Sequence, residues 1–186
     1  MVRKIALSLL FYVYAIRLFR RVRFFGKAII YRSREASILW GKGISVNSDC
    51  YANLFGLFQP AIFVARDNGK IEIGNNVGIS GTTIYARKGI QIGDNTIIGA
   101  NCKIVDNDFH AVCPEHRIDR ESQKNNIECR EVRIGKNCFI GANSIILKGA
   151  IIADNSVVGA GSVVTKQFTE PRIMLAGNPA RMIKRL

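Results

Sequence analysis

The chain of 186 residues contains two histidines, and one of them closes a run of spaced carboxylates. His110 ends the sequence Asp-Asn-Asp-Phe-His, in which Asp106 and Asp108 precede it at alternate positions. Alternate residues of an extended strand share one face, so one of these carboxylates could fix the tautomer of the imidazole. A histidine held in this way can remove a proton from an attacking hydroxyl. His116 lacks that context and is interpreted as a loop residue.

The element that must position these residues shows an aliphatic side chain at every sixth position. A helix repeats near 3.6 residues and a half-buried strand near 2, so a period of six indicates short straight segments joined by regular corners. Asn or Gly follows three positions later and tolerates positive φ, and the next residue is small. We therefore predict a solenoid. Its interior residues in the most regular stretch are Ile134, Ile140, Ile146, Ile152, Val158 and Val164.

The solenoid is expected over residues 36–169, with a weak period before Ile73. The period stops at residues 110–130, which are polar, and restarts at Ile134 in the same pattern. A solenoid can expel such an insertion without disturbing the stacking of its coils. We predict that residues 110–130 form an extruded loop, and long loops of this kind in compact domains are usually functional.

The two ends of the chain lie outside the repeat. Residues 1–35 are predicted to form a basic, apolar helical segment, and residues 170–186 a tail. Pro171 and Pro179 are expected to prevent regular strand pairing in that tail. The apolar stretch of residues 5–16 would cover roughly 18 Å as a helix, which is too short to span a bilayer.

The formal net charge of +13 is concentrated at the start of the chain, where nine basic residues and no acidic ones precede Glu35. Residues 1–30 therefore either lie on an anionic membrane surface or pack on the solenoid or a partner subunit. No nucleic-acid recognition motif accompanies the charge, so a nucleic-acid partner is not expected. Five cysteines without a C-x-x-C pair argue against a disulfide framework and favour the cytoplasm, at the inner membrane face if residues 1–30 bind lipid.

Three features together resemble a known family: the repeat, the Asp106–His110 run with the loop after it, and a tail reading GAGSVVTK…AGNPARMIK. The chain is similar to hexapeptide-repeat acyltransferases, in the branch of maltose, galactoside and polysaccharide O-acetyltransferases. The resemblance implies an all-β fold, a left-handed parallel β-helix solenoid with an N-terminal helix and a C-terminal tail. It also implies a homotrimer.

The chemistry that this resemblance implies is direct transfer of the acetyl group of acetyl-CoA to a saccharide hydroxyl, in polysaccharide or glycan modification. His110 would be the general base, with Asp108 or Asp106 orienting it. Acetyl-CoA is a co-substrate in this scheme, and no metal is required. The implied acetyl-CoA contacts are Ala142, Ala160, Thr165, Lys166, Arg181 and Lys184.

Other interpretations of the same residues remain open. The aspartates could satisfy only backbone groups at a corner, and His110 could be an ordinary surface residue. At the level of function, the alternatives are N-acetylation of an amino nucleotide sugar and a non-catalytic solenoid scaffold. A three-histidine metal site is disfavoured, because the chain has two histidines.

Overall fold

The computed structural model describes residues 21–186 and consists mainly of short strands. A loop between two of them holds a 3₁₀ turn (Pro114–Arg117) and a helix, α1 (Arg120–Asn125). The strands in chain order are β1 (Val22–Phe25), β2 (Ile29–Arg32), β3 (Ser37–Trp40), β4 (Ile44–Asn47), β5 (Ile62–Ala65), β6 (Lys70–Ile73), β7 (Gly78–Ser80), β8 (Thr83–Ala86), β9 (Gly89–Ile92), β10 (Ile97–Ala100), β11 (Lys103–Val105), β12 (Val132–Ile134), β13 (Phe139–Ile140), β14 (Ile145–Ile146), β15 (Ile151–Ile152), β16 (Val157–Val158), β17 (Val163–Val164), β18 (Gln167–Phe168), β19 (Ile173–Gly177) and β20 (Ala180–Arg185).

Every third strand joins the same sheet, so three consecutive strands make one coil of a prism. Sheet A has the order β1-β4-β7-β10-β13-β16-β19-β20, sheet B contains β2-β5-β8-β11-β14-β17, and sheet C contains β3-β6-β9-β12-β15-β18. Neighbouring strands are parallel, except for the antiparallel pair β19 and β20. We name the three edges of the prism A/B, B/C and C/A after the sheets that meet there.

The repeating aliphatic residues fill the interior, as the period of six predicts. The six residues from Ile134 to Val164 in that register are each at most 2% exposed. Corner residues such as Asn137, Asn143 and Asn155 have positive φ. The small residues that follow, including Ser144 and Ser162, are buried where the faces meet. Both the period and its corner chemistry are therefore confirmed.

The solenoid extends to residues before the predicted start at residue 36, because its first described strand is β1 at Val22. β1 and β2 are strands of a first coil, so the helical interpretation of residues 1–35 is wrong for its second part. Val22 is buried and Phe24 is half-buried, whereas Arg23 between them is exposed, which is strand alternation inside a basic run. The remainder of the predicted helix falls outside the described residues. Within residues 21–186, no helix is long and apolar enough to cross a membrane.

The C-terminal tail forms the last two strands of sheet A, although it was expected not to pair regularly. β19 pairs in parallel with β16, and β20 returns antiparallel along β19. Pro171 precedes β19, and Pro179 lies in the turn between Gly177 and Ala180. Neither proline occupies a position where the ladder needs its missing N–H, which is why the expectation that they prevent pairing is wrong.

The close approach of coils at a corner leads to a first prediction, for Gly93→Ala. A Cβ at this position would lie 2.6 Å from the carbonyl carbon of Gly135 in the next coil, so backbone must move. We expect the free energy of unfolding to fall by about 1–3 kcal/mol in guanidinium denaturation. The control is Gly78→Ala, where the nearest atom would be 4.0 Å away. Equal effects of the two substitutions would contradict the account.

Candidate active site

The extruded loop leaves the prism at the B/C edge, between β11 and β12, and its neck is closed by backbone hydrogen bonds. The Arg130 N–H donates to the Asp106 carbonyl at 2.8 Å, and the Asp108 N–H donates to the Glu128 carbonyl at 3.2 Å. Asn107 and Cys129 form an antiparallel bridge between these bonds. The loop therefore begins and ends at one fixed point on the scaffold.

His110 lies just beyond this neck, at the end of a tight turn. Phe109 has a φ of 63°, and its N–H donates to Asn107 Oδ1 at 2.9 Å. The Phe109 ring packs edge-on against Tyr85, with 4.8 Å between centroids. The His110 N–H donates to the Asp108 carbonyl at 2.7 Å. The backbone of His110 is thus held, while its side chain is exposed and takes no hydrogen bond from residues 21–186.

Asp106 follows β11, and its side chain caps the B/C corner of the preceding coil, between β8 and β9. It is fully buried, and its carboxylate accepts the backbone N–H groups of residues 87–89 at 2.7–3.1 Å. Asn107 Nδ2 donates to the same carboxylate at 3.0 Å. These contacts occupy both oxygens, so the structure does not support Asp106 as the partner of His110. The backbone-capping interpretation describes this residue.

Asp108 is paired with a lysine. Its Oδ2 lies 3.2 Å from Lys148 Nζ, outside good hydrogen-bond geometry, so the contact is an ion pair. Lys148 Nζ also donates to Glu128 Oε2 at 2.5 Å. Burial lowers the pKa of Lys148, but the negative charges of Glu128 and Asp108 outweigh that effect and raise the pKa. The bond from Lys148 correspondingly lowers the pKa of Glu128.

A cavity of about 220 Å³ opens beside these groups. It brings Thr165, a predicted acetyl-CoA contact, next to the neck of the loop. Among residues 21–186, no three His, Cys, Asp or Glu side chains come together as a metal site. The residues that line the cavity are Asn107, Asp108, Arg130, Leu147, Lys148 and Thr165.

The other predicted acetyl-CoA contacts separate into two groups. Ala142 and Ala160 stack at the A/B edge, and Arg181 follows the β19–β20 turn at the same edge. Lys166 lies with Thr165 at the B/C edge, its Nζ 5.4 Å from the Phe168 ring centroid. Sheet B separates the two edges, so one chain does not bring these groups together.

Two further positions complete the comparison with the sequence prediction. Lys184 pairs with Met174 in β19, so it lies farther from the A/B edge than Arg181. His116 belongs to the 3₁₀ turn, with Nδ1 3.2 Å from Ser122 Oγ of α1. That contact ties two parts of the loop together and agrees with the interpretation of His116 as a loop residue.

A groove of about 690 Å³ runs along the C/A edge, where Gly74, Gly93 and Gly135 stack. None of the residues predicted from the sequence to bind acetyl-CoA or act in catalysis lines it. The groove exists because the stacked glycines at this edge have no side chains to fill it. We do not assign substrate binding or catalysis to this groove.

Known proteins share this sequence pattern and fold. The hexapeptide repeat of succinyl-transferase matches residues 131–166. Galactoside O-acetyltransferase of Escherichia coli K12 is 37% identical over 130 residues, which are 69% of this chain and 60% of that protein. The chain carries the hexapeptide repeat and is similar to hexapeptide-repeat acyltransferases, and it spans less than two thirds of the length of this relative.

Two solved structures support the fold of this hexapeptide-repeat protein. A hexapeptide-repeat acetyltransferase of Vibrio cholerae, complexed with acetyl-CoA, is 27% identical with a TM-score of 0.58 and covers 67% of this chain and 64% of its own. A mutant of AntD, an N-acyltransferase from Bacillus cereus in complex with dTDP and coenzyme A, is 26% identical with a TM-score of 0.66 and covers 89% and 83%. The all-β, left-handed parallel β-helix is therefore confirmed.

The sequence interpretation missed Lys148, Glu128 and Arg130 of this hexapeptide-repeat chain. Glu128 Oε1 lies 3.0 Å from Arg130 Nε, so the three side chains form one charged cluster at the neck. Only the position of Lys148 in the repeat could have indicated its contact with the loop: it lies at the B/C corner of the coil that follows the insertion. Its contacts with residues on both sides of the loop are not visible as a local motif.

The buried carboxylate of Asp106 leads to a second prediction, for Asp106→Asn. The amide cannot accept from all of the donors that surround the carboxylate, so a backbone N–H loses its partner. We expect the free energy of unfolding to fall by about 2–3 kcal/mol. Asp67→Asn is the control, because the carboxylate of Asp67 is half exposed and pairs with the Arg87 side chain instead of buried backbone N–H groups, so the change should cost less than about 1 kcal/mol. A similar small loss in both variants would remove Asp106 from its structural role.

Proposed function

We propose that this protein transfers the acetyl group of acetyl-CoA to a saccharide hydroxyl, with His110 as the general base. The observation that carries the proposal is the placement of His110, whose backbone is fixed by a braced turn while its imidazole faces solvent without a partner among residues 21–186. A base must reach an external proton and must not be occupied by the protein. The relation to galactoside O-acetyltransferase supports this reaction.

In this reaction the acceptor oxygen attacks the carbonyl carbon of the thioester while His110 takes its proton. The carbon–sulfur bond then breaks, and the proton passes from the imidazolium to the departing thiolate of coenzyme A. No acyl-enzyme is needed. Since Asp106 is engaged with backbone and Asp108 with Lys148, proton transfer is assigned to His110 without a carboxylate partner.

The A/B edge suits the arm of acetyl-CoA. Ala142 and Ala160 present small side chains there, and a Cβ on Gly161 would meet no atom within 4 Å, so the corner is open. Small residues leave backbone groups accessible to an extended ligand. Arg181 is exposed at the same edge and supplies positive charge for phosphate groups.

A homotrimer would complete the site. In one prism His110 lies at the B/C edge, whereas the proposed acetyl-CoA contacts Ala142 and Ala160 lie at the A/B edge. A closed ring places one edge of each copy against a different edge of the next. Both edges carry exposed apolar side chains suited to such contact. These are Tyr51, Leu54, Phe55 and Phe58 on the loop at the A/B edge, and Val112 and Ile118 on the loop at the B/C edge.

The acceptor in this proposal is a polysaccharide or glycan intermediate, and the protein works in the cytoplasm at the inner face of the membrane. Residues 22–25 and 29–32 are strands of the first coil, so support for the location comes from the sequence of residues 1–21, in which an apolar stretch lies between basic residues at both ends. Such segments bind anionic lipid by apolar burial and charge attraction together.

Transfer to an amine is the second candidate, because the AntD mutant, from an N-acyltransferase, covers 89% of this chain. An amino nucleotide sugar would then replace the hydroxyl acceptor. Competition between matched hydroxyl and amino sugars for radiolabelled acetyl groups separates the two reactions. Exclusive labelling of the amine would reject O-acetylation.

His110→Ala tests the base directly. We expect kcat/KM to fall roughly 10²- to 10⁴-fold, because the hydroxyl loses its proton acceptor. Circular dichroism and calorimetric binding of coenzyme A should be unchanged, since the side chain bonds to no described residue. His116→Ala is the matched control, and its kcat/KM should stay close to wild type. Wild-type activity in His110→Ala would remove this residue from the mechanism.

Arg181→Ala tests the acetyl-CoA edge. Loss of a charged phosphate contact should raise KM for acetyl-CoA roughly tenfold, about 1.4 kcal/mol, with little change in kcat. Arg133→Ala is the control, because Arg133 is equally an exposed arginine but lies in sheet C and pairs with Glu131. The same rise in KM in both variants would indicate general charge attraction and contradict the assigned contact.

A further inference from the structure

We propose that Lys148 is a positioning residue for His110. Lys148 clamps together the two chain segments that form the neck of the extruded loop. Its kinetic consequences rest on the proposed function, whereas the clamp itself is independent of it. Lys148 belongs to the coil after the insertion, at the same B/C edge, and so approaches the neck from the rigid scaffold.

The ammonium of Lys148 contacts both sides of the neck. Nζ lies 3.2 Å from Asp108 Oδ2 on the outgoing strand and 2.5 Å from Glu128 Oε2 on the returning strand. The side chains of Lys148 and Asp108 are 15% and 23% exposed, so solvent screens their contact less than the contact with Glu128, whose side chain is 52% exposed. One cation thus bridges the two residues whose backbones are joined by the Asp108 N–H to Glu128 carbonyl bond.

The link from the clamp to His110 is short. Asp108 uses its carboxylate for Lys148 and its carbonyl for the His110 N–H at 2.7 Å. A shift of Asp108 therefore moves the histidine backbone directly. The same turn is held on one side by the ring contact between Phe109 and Tyr85, and on the other by the ion pair between Asp108 and Lys148.

Loss of the cation would leave an unfavourable arrangement. Asp108 Oδ2 is buried and has no hydrogen-bond partner in residues 21–186, so without Lys148 this oxygen would lose the cation that compensates its partial burial. Glu128 retains Arg130 at 3.0 Å, but no such substitute is available for Asp108 among the described ion pairs. We expect Asp108 to turn toward solvent and the neck to open.

The variant Lys148→Met keeps the length and apolar body of the side chain and removes the charge. We expect kcat to fall roughly 10- to 100-fold with KM for acetyl-CoA unchanged, because misplacement of a catalytic group affects the transition state. Lys148→Arg should restore most of kcat, because a guanidinium can bridge two carboxylates. Lys136→Met is the control: Lys136 forms an exposed pair with Asp94 at 3.6 Å, away from the loop.

Tryptic cleavage within the loop provides a readout that does not depend on catalysis. Arg117, Arg120 and Lys124 are exposed sites beyond the neck, and an open neck should increase their cleavage rate several-fold in Lys148→Met but not in Lys136→Met. Glu128→Gln, at an exposed position where folding is not threatened, should show a smaller change in the same direction. If wild type transfers no acetyl group, the proposed function fails, and the cleavage rates still decide the clamp.

Three results would overturn the proposal: wild-type cleavage rates in both Lys148→Met and Glu128→Gln, equal changes in Lys148→Met and Lys136→Met, or a loss of kcat that Lys148→Arg does not relieve. If Lys148→Met does not fold, the cleavage rates and kcat of Glu128→Gln and Lys148→Arg test the clamp instead. Unchanged cleavage in Glu128→Gln together with unchanged kcat in that variant would then reject the clamp.

Discussion

Close contact between successive coils at their corners is the constraint on which this structure depends. At the corners the backbone of one coil bonds to the next: the Asn137 N–H reaches the Asp94 carbonyl at 2.8 Å, and the Asn155 N–H reaches the Lys136 carbonyl at 2.8 Å. A residue at such a corner must accept positive φ, and a neighbour must leave room for backbone. The Asn and Gly positions of the repeat meet both requirements, so the period of six is a direct consequence of stacking.

The same constraint determines where an irregular segment can be added. Where a loop leaves the solenoid at a corner, the backbone N–H groups of the adjacent corner still need hydrogen-bond acceptors. Asp106 supplies them, because its carboxylate accepts the N–H groups of residues 87–89. The carboxylate seals the preceding coil immediately before the chain departs. His110, four residues later, is therefore close to a rigid scaffold but free of its packing, which suits a proton acceptor.

Local chemistry explains what could be predicted from the sequence. The interior residues from Ile134 to Val164 and the Asn corners follow from period and backbone conformation, both of which act over a few residues. The first coil escaped prediction because the alternation of Val22 and Phe24 is concealed among arginines. Pro179 was misjudged because a proline in a turn does not interrupt the ladder on either side.

The sequence left a backbone-capping role open for Asp106, but the partners of Asp106 and Lys148 could not be predicted because they are distant in the chain. Asp106 bonds to residues 17–19 positions earlier, and Lys148 reaches Glu128, 20 positions before it. Their partners are fixed by which corners are stacked on one edge of the prism. Sequence spacing placed Asp106 and Asp108 on one face with His110, whereas tertiary contacts engage each carboxylate elsewhere.

The central claim is that the regular coils supply the fold and the interruption supplies the chemistry. The most direct measurement replaces residues 107–129 with a short glycine linker, which the 2.8 Å bond between the Arg130 N–H and the Asp106 carbonyl shows to be geometrically feasible. The account predicts a cooperative unfolding transition like that of wild type, retained binding of coenzyme A, and acetyl transfer reduced to background. Retained transfer, or a solenoid that no longer folds, would contradict it.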